Sequence, residues 1–331
     1  MSDFEHSSRP RGIPSTAPIP TGSFQRELAV LETWRRRLEE SQLSLSPGAL
    51  AGEVVRASIA SGLLRLLRND PEVRLGVEAE AVHQARVATR RLRADLRTFA
   101  PLLQGEWVAA TAKELGWLGD TLGAVRDGDV LVAGVTGLAD ALEGLERALV
   151  GGIVDELSRR RRASYGQLIE LLSTERYLAL TLSLGEAALA PRLSELAGRP
   201  AHSLAKELVG RCWQRLERTA ARAGSRPTDP TLHKLRIRAK ELRYACEAIA
   251  PVAPPVAVEL GQRAKELQGV LGRHQDGVEL RAFLRLLAGQ RPDLAQACGL
   301  CLSRGIDTDR SEGWREVLAR LEKRKICSWL D

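Results

Sequence analysis

Five basic side chains recur at helical spacing between residues 83 and 97. An α-helix turns about 100° per residue, so these five fall within an arc of about 80° on one helix face. They are His83, Arg86, Arg90, Arg93 and Arg97. Neighbours on this basic stripe carry like charges, and such pairs weaken an isolated helix by roughly a few tenths of a kcal/mol each. Because the forked guanidinium of arginine binds phosphate oxygens in pairs, the stripe predicts a site for a repeating anion.

A second basic stripe lies 150 residues further along the chain. The positions of His83, Arg86, Arg90 and Arg93 are taken there by His233, Arg236, Lys240 and Arg243. A second motif recurs at an offset of 149 residues, since Leu122-Gly123 with Asp127-Gly128 matches Leu271-Gly272 with Asp276-Gly277. Two motifs at nearly one offset predict an internal repeat with halves of about 46–198 and 199–325, each of a size typical of a four-helix bundle.

The face opposite each stripe is apolar, which is the pattern of a helix that buries one side in a core. The predicted core residues are Ala85, Ala88, Leu92, Leu96 and Phe99 in the first copy, and Leu235, Leu242, Cys246 and Ile249 in the second. The two stripes therefore belong to packed helices whose basic sides face a ligand or solvent.

Composition predicts an all-α fold and a polyanionic partner. Hydrophobic residues make up 44% of the 331 residues but aromatic residues only 4%, which is unfavourable for β-sandwiches and barrels. We find no segment with the alternating pattern of a strand. The formal net charge of +7 favours partners such as nucleic acid, anionic lipid or a phosphate polymer, and charge alone does not choose among them.

Residues 1–22 are rich in Ser, Pro, Arg and Gly and are predicted to form a disordered tail. Residues 23–45 are predicted to hold an extra helix, from about Phe24 to Leu43, and residues 46–325 a series of helices. Helix breaks are expected near Asn69–Pro71 and near Gly151–Gly152, and the glycines at 119–123 are expected at helix boundaries. Whether the extra helix docks on the bundles is left open.

Several segments together resemble the CHAD domain, the histidine α-helical domain. They are the H-x-x-R-x-x-x-R-R-L-R run from His83, the L-G-x-x-x-D-G segment from Leu122, its counterpart from Leu271, and the H-x-L-R-I-R-A-K-x-L-R-Y run from His233 to Tyr244. The resemblance covers most of residues 48–320. It implies two four-helix bundles, related by a pseudo-twofold, around a basic central pore. It also implies binding of inorganic polyphosphate and association with polyphosphate granules.

The resemblance assigns polyphosphate binding to both stripes, and the chain is identified as a stand-alone member without a triphosphate tunnel domain. Its binding residues would be His83, Arg86, Arg90, Arg93, Arg97, His233, Arg236, Lys240 and Arg243, with Lys113, Arg126, Lys265 and Arg273 as weaker candidates. One departure is that Glu247 stands where Arg97 stands in the first half, so the second stripe is shorter and ends in an acid.

Catalysis is not expected. The sequence has no G-x-S-x-G nucleophile motif and no G-x-x-x-x-G-K-[ST] phosphate loop. Asp127 and Asp276 are expected to cap helices or orient an arginine rather than bind a metal, and the Cys298–Cys301 pair is expected to lie on a helix turn rather than to hold zinc. No catalytic residue, metal or cofactor is predicted.

The alternative function is binding of nucleic acid or of polyanions in general. Nucleic acid is the less favoured partner because no aromatic residues for base stacking interleave with the stripes. Granule-associated proteins are expected as further partners. No apolar run approaches the roughly 18 residues of a membrane span, so a cytoplasmic, granule-associated protein without a membrane partner is expected.

Overall fold

The structure is a computed structural model that describes residues 23–41, 45–46, 48–76, 79–224, 227–304, 313–322 and 329–330. The helices in these ranges are α1 (Ser23–Glu40), α2 (Ala51–Leu75), α3 (Ala79–Thr98), α4 (Gly105–Asp140), α5 (Gly144–Leu172), α6 (Glu175–Leu189), α7 (Ala201–Ala221), α8 (Asp229–Ile249), α9 (Pro255–Gln290), α10 (Ala295–Ser303) and α11 (Trp314–Leu321). No β-strand occurs in the described ranges, and the predicted all-α class is confirmed. The predicted tail at 1–22 lies outside the described residues, as do residues 323–325 at the predicted end of the module.

The internal repeat is visible in the helices themselves. Helices α2, α3 and α4 begin at residues 51, 79 and 105, and α7, α8 and α9 begin 150 residues later in each case. The starts of α2 and α7 also exchange hydrogen bonds. The Ala51 N–H donates to the carbonyl of Arg199 and the Ala201 N–H donates to the carbonyl of Ala49, both at 2.9 Å. Such reciprocal contacts support the predicted pseudo-twofold at this point, and the relation of the two whole halves stays a prediction.

One large apolar core joins both halves. All the core positions predicted on α3 and α8 are buried, from Ala85 to Phe99 and from Leu235 to Ile249. The bundles therefore share a core rather than closing separately. A smaller core forms where the far ends of α4, α5 and α9 meet α10, and it includes Val135, Ile153, Leu157, Leu284, Cys298 and Cys301. Burial in this core, on one turn of α10, gives both cysteines a packing role.

The predicted break at Asn69–Pro71 is wrong, because α2 continues through Pro71 and ends only before Gly76. Proline removes one backbone donor from a helix, which is a local cost that other contacts can offset. Here the buried Asp70 carboxylate accepts hydrogen bonds from Arg74 Nε at 2.6 Å and from the Tyr177 hydroxyl at 2.7 Å. This network ties the last turns of α2 to α6.

The helix boundaries predicted at Gly151–Gly152 and at the glycines of 119–123 are also wrong. Gly151 and Gly152 lie inside α5, and the connection from α4 to α5 falls at residues 141–143. A Cβ at Gly152 would lie 3.1 Å from a methyl carbon of Leu294, so this glycine allows a close approach within the smaller core. The glycines at 119–123 lie in the middle of α4.

The extra N-terminal helix docks on the shared core. Leu31 and Leu38 of α1 are buried, and Trp34 packs against the core beside α6. A Cβ added at Gly185 of α6 would lie 2.7 Å from atoms of the Trp34 ring. Because Gly185 has no side chain, the Trp34 ring of α1 can pack directly against α6.

We predict that Gly185→Ala lowers the free energy of unfolding by about 1–3 kcal/mol, because the added methyl group overpacks the contact with Trp34. Gly166→Ala, on an exposed position of α5 with open space around it, is the matched control and is expected to be neutral or slightly stabilising. Chemical denaturation of both variants measures the difference. Equal stabilities would show that α1 is not seated through this contact.

Candidate functional site

The two basic stripes meet where α3 packs against α8. Arg91 forms an ion pair with Glu247, and Arg97 Nη1 lies 3.3 Å from Glu241 Oε1. Since later residues of α3 face earlier residues of α8, the two helices run antiparallel. Positions 241 and 247 are the repeat counterparts of positions 91 and 97, so each ion pair is the counterpart of the other.

Lys240 lies one turn of α8 from the middle of this crossing, among positive charges of both helices. Its pKa is lowered from 10.5 to about 8, first by burial and then by the nearby arginines of both helices. Those arginines are, in decreasing order of effect, Arg90, Arg236, Arg86 and Arg97. The structure thus brings together cations that the sequence places 150 residues apart.

The two histidines of the stripes have the same local environment in both halves. In His83 and His233 the Nδ1 atom is buried and has no hydrogen-bond partner among the described residues. Burial, followed by the charge of Arg126, lowers the pKa of His83, which favours the neutral form of this ring. Arg90 Nε and Arg236 Nε are likewise buried without a partner in the described part of the chain. Unsatisfied buried donors are costly, and a bound anion or water would satisfy them.

Glycines on α4 and α9 lie beside two of the arginines. A Cβ at Gly123 would overlap the Nη1 atom of Arg86, and a Cβ at Gly272 would lie 3.6 Å from Arg236 Nε. Both glycines belong to the repeated L-G-x-x-x-D-G motif. Gly123 leaves the space that Arg86 occupies, whereas Gly272 lies at an ordinary van der Waals distance from Arg236. The repeat of this motif was the signal in the sequence that could have assigned them to the site.

The aspartates of the same motif lie inside α4 and α9, so neither of them caps a helix. Asp127 Oδ1 lies 3.4 Å from Arg86 Nη2, which fits the alternative expectation that it orients an arginine. Burial raises the pKa of Asp276, and the nearby charge of Arg236 opposes that rise. Each repeat therefore places one acid of the motif near the corresponding arginine.

Carboxylates of α8 engage two of the predicted binding residues. Arg243 Nε donates to Glu247 Oε1 at 2.6 Å, and Arg97 pairs with Glu241. Glu241 also lies 2.7 Å from Arg238 and 3.5 Å from Arg215. Arg97 and Arg243 consequently already have anionic partners.

The four weaker candidates differ in how far they are buried. Arg126 is half-buried and close enough to His83 to lower its pKa, while Lys113, Lys265 and Arg273 are exposed on α4 and α9. Tyr244 is a residue of the site that the sequence analysis did not assign. Its buried ring lies 5.4–5.8 Å from the guanidinium carbons of Arg90, Arg91 and Arg243.

One acidic residue of α3, Asp95, faces α2. Asp95 is buried beside a cavity of about 310 Å³ between α2, α3 and α8, where it accepts a hydrogen bond from Ser58 and pairs with Arg91. Burial raises the pKa of Asp95 to about 6. In the described part of the chain, no group of three or more His, Cys, Asp or Glu side chains could hold a metal ion. No helix among the described residues is long and apolar enough to cross a membrane.

Comparison with known proteins agrees with this architecture. Two solved structures share the fold. PptA from Streptomyces chartreusis has a TM-score of 0.65 and 21% identity, and the match covers 82% of this chain and 99% of that chain. The CHAD domain from the plant Ricinus communis has a TM-score of 0.62 and 26% identity, and the match covers 87% of this chain and 93% of that chain.

Curated relatives extend the comparison. The uncharacterized proteins Rv2226 and MT2285, from two strains of Mycobacterium tuberculosis, are each 29% identical over 285 residues, which is 76% of this chain. The chain spans about half the length of these relatives, 53% in each case. The family profile of the CHAD domain matches residues 57–285, which include both basic stripes and both glycine motifs. The chain therefore belongs to the CHAD domain family.

Proposed function

We propose that this protein binds inorganic polyphosphate between α3 and α8 and that it does so without catalysing a reaction. The observation that carries the proposal is the convergence of Lys240 with Arg86, Arg90 and Arg236. Such a cluster of like charges is unfavourable in the free protein and becomes favourable when a dense polyanion neutralises it. Membership in the CHAD domain family supports this ligand, and association with polyphosphate granules in the cytoplasm is part of the proposal.

The shape of the site favours a bare phosphate chain over nucleic acid. Base stacking requires an accessible aromatic face, but the Tyr244 ring is buried and surrounded by three guanidinium groups. The stripe arginines present forks suited to phosphate oxygens. Binding of nucleic acid or of polyanions in general remains the alternative.

The arrangement of acids supports a binding role rather than phosphoanhydride cleavage. Enzymes of that kind commonly hold a metal ion with carboxylates beside the basic groups. Glu241 and Glu247 at the crossing are instead engaged by arginines, and Asp95 pairs with Arg91.

The direct experiment is a titration of the full chain with long-chain polyphosphate in about 0.15 M salt, with single-stranded DNA at equal phosphate as the competitor. Tight binding of polyphosphate that DNA does not displace is the expected result. Equal competition by DNA would show a general polyanion site, and no binding of polyphosphate would overturn the proposal.

We predict that Arg90→Glu and Lys240→Glu each weaken polyphosphate binding by more than tenfold. Each reversal removes a cation from the crossing and adds a repulsive charge, so the dependence of affinity on salt also becomes shallower by about 0.7–0.9 per lost contact. Arg162→Glu, on an exposed position of α5, makes the same change of net charge away from the stripes. Equal losses in all three variants would mean that only the net charge matters.

We predict that Gly123→Ala weakens binding by about tenfold, equivalent to about 1.4 kcal/mol, because the new methyl group displaces the Arg86 guanidinium. Gly137→Ala is the matched control, since it lies in the same helix with open space around it. Calorimetric titration of both variants makes the comparison. If Gly123→Ala binds polyphosphate like the control, the position of the Arg86 guanidinium against α4 does not contribute to binding.

Affinity is expected to fall as the pH rises from about 7 to 9. The pKa of Lys240 is about 8 in the free protein, so the lysine loses its charge across this range. A bound polyanion favours the charged form, so binding raises the pKa and takes up a proton near pH 8. Lys240→Arg keeps the charge and should remove most of this dependence. Titrations in buffers of different ionisation enthalpy measure the proton uptake, and no uptake by the wild type would contradict the expectation.

A further inference from the structure

One aromatic side chain lies at the middle of the α3–α8 crossing. The interhelical ion pairs described above are evenly spaced about positions 94 and 244, so these two positions face each other. They are also counterparts in the repeat, yet one holds Ala94 and the other Tyr244. Tyr244 is 4% exposed, and Ala94 is half-buried. The crossing therefore has one ring at its middle, supplied by α8 alone.

The Tyr244 ring lies under the guanidinium group of Arg90, a residue of the first stripe. The guanidinium carbon is 5.8 Å from the ring centroid. The Arg90 side chain has no hydrogen bond or ion pair among the described residues, and its Nε atom is buried. Arg91 and Arg243 also lie over the ring, but each of them is held by Glu247 as well. The ring is therefore the one favourable electrostatic contact of the Arg90 guanidinium in the described part of the chain.

A contact of this kind suits an arginine that binds anions. A cation over an aromatic face is attracted by the ring electrons, and the attraction is stronger where water is excluded. Unlike a carboxylate, the ring leaves the guanidinium with its full charge and with its N–H donors, which phosphate oxygens can accept. Arg90 is thus held in place and is still available for phosphate.

The repeat shows what the ring adds. The counterparts of Arg90 and Tyr244 are Lys240 and Ala94, so the half that lacks the ring also lacks the arginine. Lys240 has no contact with an aromatic ring among the described residues. The planar guanidinium of arginine stacks on aromatic faces, whereas the ammonium group of lysine is a compact and strongly hydrated point charge. The planar cation therefore occurs where the ring is, which links the two exchanges.

We propose that Tyr244 is a positioning residue of the polyphosphate site, whose ring holds the Arg90 guanidinium in place before the ligand binds. This inference rests on the proposed function. Association costs less when a side chain is already ordered, because less conformational freedom is lost. Tyr244 thus raises the affinity for phosphate without touching it, and it does so for Arg90 of one repeat but not for Lys240 of the other.

The first test compares Tyr244→Leu with Tyr244→Phe in calorimetric titrations of the full chain with polyphosphate. Leucine removes the ring, so binding is expected to weaken about three- to tenfold, because Arg90 then has to be ordered on binding. Phenylalanine keeps the ring over which Arg90 lies and is expected to restore most of that loss. Thermal unfolding without ligand checks that both variants are folded.

A second test separates the electrons of the ring from its shape. Position 244 is filled with phenylalanine and then with its mono-, di- and trifluorinated forms, which weaken the attraction for a cation stepwise at nearly constant volume. Affinity is expected to fall along this series. The matched control is the same series at Phe99, which is buried after the end of α3 and has no guanidinium over it among the described residues. This series keeps the proposal testable if Tyr244→Leu does not fold.

A double-mutant cycle links the effect to one arginine. If Tyr244 acts through Arg90, then Tyr244→Leu causes little further loss of affinity in the Arg90→Gln background. Wild-type binding with a flat fluorination series, with equal affinities of the Leu and Phe variants, or with additive losses in the cycle would overturn the role of Tyr244 and leave polyphosphate binding intact. Absence of wild-type binding would overturn both proposals.

Discussion

Like charges lie close together near the crossing of α3 and α8, and the rest of the structure has to offset their repulsion. Lys240 lies among arginines of both helices, and its lowered pKa reflects the free-energy cost of keeping that charge in place. The opposite faces of the same helices offset this cost, because residues such as Leu92, Leu96, Leu235 and Leu242 are buried in the shared core. Burial of large aliphatic side chains stabilises by roughly 1.5–3 kcal/mol each, against a few tenths for each exposed like-charge pair.

The neighbouring helices reduce the repulsion in two ways. Gly123 on α4 lets the Arg86 guanidinium lie against that helix, where Asp127 Oδ1 is 3.4 Å from Arg86 Nη2. The carboxylates of Glu241 and Glu247 form ion pairs with Arg97 and Arg243. In the described part of the chain, Arg90 and Lys240 form no ion pair with a carboxylate, and packing holds them in place.

The repeat produces two similar basic helix surfaces, but the two halves are not identical. Helices α3 and α8 are close copies, and so are α4 and α9 in length and start. Outside them the halves diverge, since α5 has 29 residues where the second half has the nine-residue α10. At the crossing itself the halves differ by two charge reversals, Arg91 for Glu241 and Arg97 for Glu247.

The sequence by itself determined the helical class, the repeat, the two stripes and the core faces opposite them, because each depends on helical periodicity within a short segment. It also marked the glycine motif without showing its purpose. Only the tertiary structure decided that the stripes meet antiparallel, that Arg97 and Arg243 are engaged by acids, and that Tyr244 joins the site. It also decided that α2 passes through Pro71 and that Gly151–Gly152 lie inside a helix. These features depend on contacts between residues that are distant in sequence, such as Asp70 with Tyr177 and Gly152 with Leu294, which local propensity does not encode.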